Sequence, residues 1–180
     1  MATQKCIITG GPGSGKTSLI EALTLRGYAH SPEVSRRLIR EQMAIEDGVL
    51  PWQSLPAFAA LAVEAMLRDH DLVEPQAGIV FFDRGLPDVF GYLRNSGLEI
   101  PDHWKRAHDH CTYAQQVFIL PPWPEIYVND DERPQTLDES RALHAEISRA
   151  YEQLGYELIE VPKIRVDQRA DFVLEQLCST

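Results

Sequence analysis

The stretch that most constrains this chain is CIITGGPGSGKTSLI, residues 6–20. A short apolar run, residues 5–9, reads as a strand. A glycine-rich turn follows, and then a helical pattern over 17–26 with Gly27 placed to end it. Gly10, Gly15, Lys16 and Thr17 satisfy the pattern G-x-x-x-x-G-K-[ST]. Gly11, Gly13 and Gly15 permit backbone conformations that turn successive N–H groups inward and let a phosphate approach the main chain. Pro12 and Ser14 complete the loop, and the helix that follows points its positive end at the same anion. Lys16 is placed to reach β- and γ-phosphates, and the Thr17 hydroxyl to ligate Mg²⁺. Ser18 is either an α-phosphate contact or an ordinary first-turn residue. The alternative to a phosphate cradle is an accidental glycine-rich turn. The strand before and the helix after argue against it. Residues 10–18 are thus the expected binding loop for ATP.

The rest of the composition narrows the partners. The chain has 180 residues, enough for one domain spanning 1–180 with a sizeable core. A formal net charge of -10 argues against a nucleic-acid groove or an anionic membrane as the main partner, so a phosphate must be bound by local arrangement. Cys6, Cys111 and Cys178 are scattered and odd in number. That fits free thiols in a reducing cytoplasm. No secretory leader is apparent, and the most apolar longer stretch, 57–67, contains Glu64 and falls short of a membrane span. A cytoplasmic protein is expected, with its oligomeric state left open.

Apolar runs alternate with helical patterns along the chain. Residues 28–30 suit a short second strand, and SPEVSRRLIREQM a helix with Ser31 as N-cap and Pro32 at its first position. A further helix is expected over 54–72. GIVFFD is a buried strand ending in an acid. LPDVFGYLRNSG and DHWKRAHDHCTYA read as helices, QVFIL as a fourth strand, LDESRALHAEISRAYEQLG as a long amphipathic helix, ELIEV as a fifth strand, and 166–177 as a last helix. Such alternation predicts a parallel sheet covered on both faces.

A phosphate cradle needs a second group for the metal. Asp83 ends its strand where open α/β sheets collect ligands, and an acid there binds Mg²⁺ directly or through water. The other reading is a cap for the next helix. Arg84 follows, where a motor ATPase usually carries a second acid that polarises water. A guanidinium beside the phosphoryl path clamps an anionic acceptor or stabilises transferring charge; otherwise it simply pairs with Asp83 or Asp88. Switch GTPases usually carry Asp-x-x-Gly here and Asn-Lys-x-Asp later. This chain has Asp83-Arg84-Gly85, and its VNDD lacks the lysine. His103, His108, His110 and Cys111 do not match paired zinc-ligand spacing and read as histidines on a polar helix face.

The segments GGPGSGKTSLIEAL, SPEVSRRLIRE, FFDRGLPDVFGYL, LPPWPEIYVNDDERPQ and YEQLGYELIEVP occur in that order. Together they resemble bacterial proteins described as AAA-domain predicted ATPases or kinases, over nearly the whole chain. The resemblance implies an α/β/α P-loop NTPase core of adenylate-kinase-like order 2-3-1-4-5, closer to nucleoside and nucleotide kinases than to ring motors. It also implies an acceptor site over the second helix and a short lid over about 121–137. Glu33 matches the acid that serves as general base in related deoxynucleoside kinases; its plainer reading is a first-turn helix acid. Arg36 is placed either to bind an acceptor phosphate or carboxylate or to pair with Glu33, with Arg37 and Arg40 solvated. Arg133 is the expected lid arginine, with Arg141 and Arg149 as alternates. Trp123 and Tyr127 either stack on a ring or pack the proline-rich loop onto the body. Lys163 and Arg165, after the fifth strand, border the expected base site or a plain turn. The expected activity is transfer of the γ-phosphate of Mg-ATP to a small-molecule acceptor. The alternative is a regulatory ATPase that hydrolyses slowly and signals through a protein partner.

Overall fold

A computed structural model of the chain describes residues 3–73, 78–126 and 136–178. Its apolar runs become the inner strands of a parallel sheet. β1 (Gln4–Gly10) lies at the centre, flanked by β3 (Ile79–Asp83) and β4 (Gln116–Leu120), with β2 (Ala29–Ser31) and β5 (Glu157–Glu160) at the edges. The order is β2-β3-β1-β4-β5, as the resemblance implied. Register sets Ile7 beside Phe82 and Val117, and Ile8 beside Asp83 and Phe118.

Because side chains alternate along a strand, each inner strand serves two cores. Cys6, Ile8, Phe81, Phe118 and Leu120 meet α1 (Lys16–Leu25) and α7 (Val166–Cys178) on one face. Ile7, Phe82, Val117 and Ile119 meet α6 (Leu137–Gln153) on the other. α4 (Leu86–Asn95) lies beside α6 and carries α2 (Val34–Met43) and α3 (Leu55–Leu72) on its outer side. A short α5 (Asp102–Asp109) precedes β4. α4 and α6 approach so closely that a Cβ on Gly91 would stand 2.8 Å from the Ile147 Cα. Among the described residues, no helix is long and apolar enough to cross a membrane.

Helix ends follow local chemistry. Gly27, at φ 89°, closes α1 in a Schellman turn: its N–H donates to the Thr24 carbonyl, and that of Tyr28 to Leu23. Thr136 caps α6 reciprocally with Glu139. Several element ends shift by a residue or two from the sequence reading, and two differences have a clear physical cause. Ser31 is not an N-cap: it is buried in β2 opposite Phe82, so the chain stays extended through Glu33, which takes the N-cap position of α2 without a side-chain capping bond. Pairing to β3 outweighs the local cap preference of serine. α5 ends at Asp109 rather than running on to Ala114, because residues 112–114 are drawn onto the sheet: the Ala114 N–H donates to the Lys5 carbonyl.

Candidate active site

Functional side chains gather at the C-terminal ends of β1 and β3. After Gly10 the chain turns sharply, and Gly15 caps α1 in the left-handed region at φ 81°. Gly10, at φ 153°, has no room for a side chain: a Cβ there would lie 2.8 Å from both the Leu120 carbonyl oxygen and the Ser14 Oγ. The Ser14 hydroxyl is buried and has no hydrogen-bond partner among the described residues. A buried hydroxyl left open in a loop of inward-turned backbone fits a phosphate oxygen. Gly11 and Pro12 lie under α6, where the Ser140 hydroxyl donates to the Pro12 carbonyl at 3.4 Å. Ser18 is exposed in the first turn of α1.

Lys16, the first residue of α1, is 5% exposed and donates to Asp83 Oδ1. Its Nζ stands 4.0 Å from Glu33 Oε2. Burial pushes the Lys16 ammonium down, and Arg84 adds to that push; Asp83 and Glu33 oppose it. Burial likewise pushes the Asp83 carboxyl up despite Lys16. For Glu33, burial is outweighed by Lys16, Arg84 and Arg36, and the carboxyl sits below its ordinary range. One cleft of about 860 Å³ runs from Thr17, Asp83 and Glu33 along α1 to Ile20 and Leu25, and along α2 past Arg36 and Arg40. Thr17 and Asp83 thus offer a hydroxyl and a carboxylate to the same space. Hard oxygen donors at the edge of a phosphate loop fit Mg²⁺.

Arg36 donates to Glu33 Oε2 at 3.0 Å and also lines the cleft. Arg37 is not simply solvated. It lines the cleft while pairing with Asp69 of α3 at 2.9 Å, because packing of α3 on α2 supplies that carboxylate. Arg40 is exposed on the cleft wall. Arg84 is not on that wall. It is 7% exposed, holds φ 75°, and turns its guanidinium back to the Gly10 carbonyl at 2.9 Å and to Asp88 at 3.2 Å.

On the far side of the loop, Arg169 of α7 donates to the Gly15 carbonyl at 3.3 Å, and its guanidinium lies 5.4 Å from the centre of the Trp123 ring. Sequence reasoning passed over Arg169. The available signal was a cation near the start of a helix, where the dipole disfavours it and some other contact must hold it. Lys163 and Arg165 are exposed after β5, with Arg165 near Asp167 at 3.3 Å. Arg141 and Arg149 pair on the exposed face of α6 with Asp138 and Glu146. Arg133 and Tyr127 lie outside the described residues. His108 is not on a polar face. It is buried, accepts or donates at 3.1 Å with the Tyr156 hydroxyl, and stacks on Tyr113, because α5 packs that side inward.

The whole backbone is similar to solved kinases. Deoxyadenosine kinase from M. mycoides, solved with dCMP and dCDP and in a separate structure with dCTP, superposes with a TM-score of 0.67 at 14% identity; in the first, 98% of this chain and 99% of that one are covered. Thymidylate kinase from Ehrlichia chaffeensis gives 0.59 at 15% identity over 98% and 100% of the two chains. That from Candida albicans gives 0.61 at 13% identity over 99% and 92%. Likeness at these identities establishes the fold, that of P-loop kinases. No curated protein matches by sequence. The model of the AAA-domain family matches residues 5–169, a span that holds the phosphate loop, Glu33, Asp83-Arg84 and Arg169, and the chain belongs to that family.

Proposed function

We propose that the protein is a phosphotransferase that moves the γ-phosphate of ATP to the hydroxyl of a small acceptor, a nucleoside, nucleotide or related metabolite. The observation that carries this reading is the meeting of Lys16, Asp83 and Glu33 at the end of a cleft with room for a second small molecule. Triphosphate in the loop takes over Lys16 and so releases Asp83 from its ion pair. Thr17 and Asp83 would then hold Mg²⁺, which when bound neutralises charge on the β- and γ-phosphate oxygens. Glu33, kept ionised by its three cationic neighbours, accepts the acceptor's hydroxyl proton. The acceptor oxygen bonds to the γ-phosphorus, the bond from that phosphorus to the β–γ bridging oxygen breaks, and ADP leaves. Arg36 and Arg40 bound the acceptor side, and the Trp123–Arg169 pair borders the base side together with Lys163 and Arg165. The fold-level neighbours include enzymes solved with deoxynucleotides, which is a reason to try nucleosides first as acceptors.

The test is ADP release from Mg-ATP against a library of hydroxylated metabolites. An acceptor that raises turnover well above background hydrolysis, with a phosphorylated product by mass, supports the proposal. Slow hydrolysis that no acceptor stimulates, and that a protein partner alters, would replace it with the regulatory ATPase.

A further inference from the structure

Asp88, the third residue of α4, is 1% exposed and accepts hydrogen bonds from four donors. Oδ1 takes the Thr9 hydroxyl and, at 3.2 Å, Arg84 Nη1. Oδ2 takes the Gly85 N–H at 3.0 Å and the Tyr151 hydroxyl at 2.5 Å. A helix-capping acid needs only the Gly85 contact. The other three donors fill the remaining lone pairs of the carboxylate and come from the end of β1, the turn after β3 and the last turn of α6.

What this acid holds is the Arg84 guanidinium. Arg84 stands in the left-handed region, with its N–H on the Ile8 carbonyl. Nη1 also donates to the Gly10 carbonyl at the mouth of the phosphate loop, Nε faces Glu33 Oε1 at 3.5 Å, and the group lies 5.9 Å from the Tyr92 ring centre. We propose that Asp88 is a positioning residue, which fixes Arg84 so that one edge fastens Gly10 and the other faces Glu33. Asp88 itself touches no substrate and acts on Glu33 only through Arg84. Arg84 is then a brace between the donor and acceptor sides rather than a clamp on the acceptor. Thr9 and Tyr151 orient the Asp88 carboxylate in turn. The proposal rests on Glu33 being the acceptor-side base for its catalytic meaning, but the geometry can be tested without an acceptor.

The experiment is NMR of the full chain labelled with ¹⁵N, reading the Arg84 Nε–H signal, assigned by its loss in Arg84→Lys. In the native protein its exchange with water should be slower than that of exposed Arg141 on the order of tenfold. Asp88→Asn keeps the size and an acceptor for Gly85 but removes the charge; it should abolish that protection. Glu33→Gln should move the Arg84 signal in the native background and leave it unmoved in Asp88→Asn. A purely structural cap would lower the melting temperature of Asp88→Asn while Arg84 stayed protected and responsive to Glu33→Gln; that result overturns the assignment. If Asp88→Asn does not fold, Tyr151→Phe removes one orienting donor and should speed Arg84 exchange to a smaller degree. Unchanged exchange there would also overturn it. An acceptor screen that finds nothing would leave these signals as they are, so the two readings fail separately.

Discussion

The two ends of the sheet treat buried polar groups in opposite ways. At the C-terminal end, Lys16, Glu33, Asp83, Arg84 and Asp88 crowd ionisable side chains of both signs into one small volume, held by one another. At the N-terminal end, His70, His108, Tyr113 and Tyr156 form a packed set of rings, with His108 bonded to the Tyr156 hydroxyl and His70 held at the rim by Lys5, Asp71 and the Thr112 N–H. The Thr112 N–H donates to His70 Nε2 at 3.1 Å, which leaves Nδ1 to donate to Asp71. A buried charge cluster is costly unless fully paired, and it gains its use when a ligand changes the pairing. A ring cluster with charged groups only at its rim holds strands and helices together chiefly by packing. One end thus concentrates ionisable groups beside the cleft, and the other packs aromatic rings.

That contrast breaks or sharpens under substitution. The largest effect is expected from Glu33→Gln: acceptor phosphorylation should fall by about 10²–10⁴-fold, the range for a lost general base. Full-rate transfer in that variant would remove Glu33 from the mechanism. Lys16→Ala should weaken Mg-ATP binding by on the order of 100-fold, through loss of hydrogen bonds to charged oxygens, as read by calorimetry. At the other end, His70→Ala should cost about 1–3 kcal/mol of stability by orphaning the Thr112 N–H, while Mg-ATP affinity stays put. If affinity fell with stability, the two ends would not be separable. The smallest effect concerns pH. Burial holds the His108 imidazole below its ordinary value. The folded protein therefore favours neutral His108, a contribution present above the unfolded value near 6.5 and lost as pH falls through the folded one. Between pH 7.5 and 5.5 the native protein should lose more stability than His108→Gln, by under about 1 kcal/mol in urea melts.

The same division explains what the sequence disclosed. The strands and the phosphate loop were legible because backbone geometry demands particular residues: only glycine tolerates the approach of Leu120 to Gly10, and only apolar runs suit strands covered on both faces; the strand order came from the family resemblance. Asp83 was legible from its place at a strand end. Arg84 was noticed, but the direction of its side chain depends on Asp88 and on Tyr151, 63 residues further along the chain, and no local spacing encodes that meeting. Arg37 was read as solvated because its partner Asp69 is supplied by helix packing. His108 was misplaced because a short polar helix shows its buried side only once Phe90, Tyr113 and Tyr156 surround it.

The contact between Gly91 and Ile147 has a mechanical consequence. A Cβ at Gly91 would press on the Ile147 backbone, so any larger residue there must push α4 and α6 apart and strain the bond from Tyr151 to Asp88 that ties the same two helices. The same two helices carry the Asp88 contact to Arg84 and the Ser140 contact to Pro12, so their packing bears on both sides of the phosphate loop.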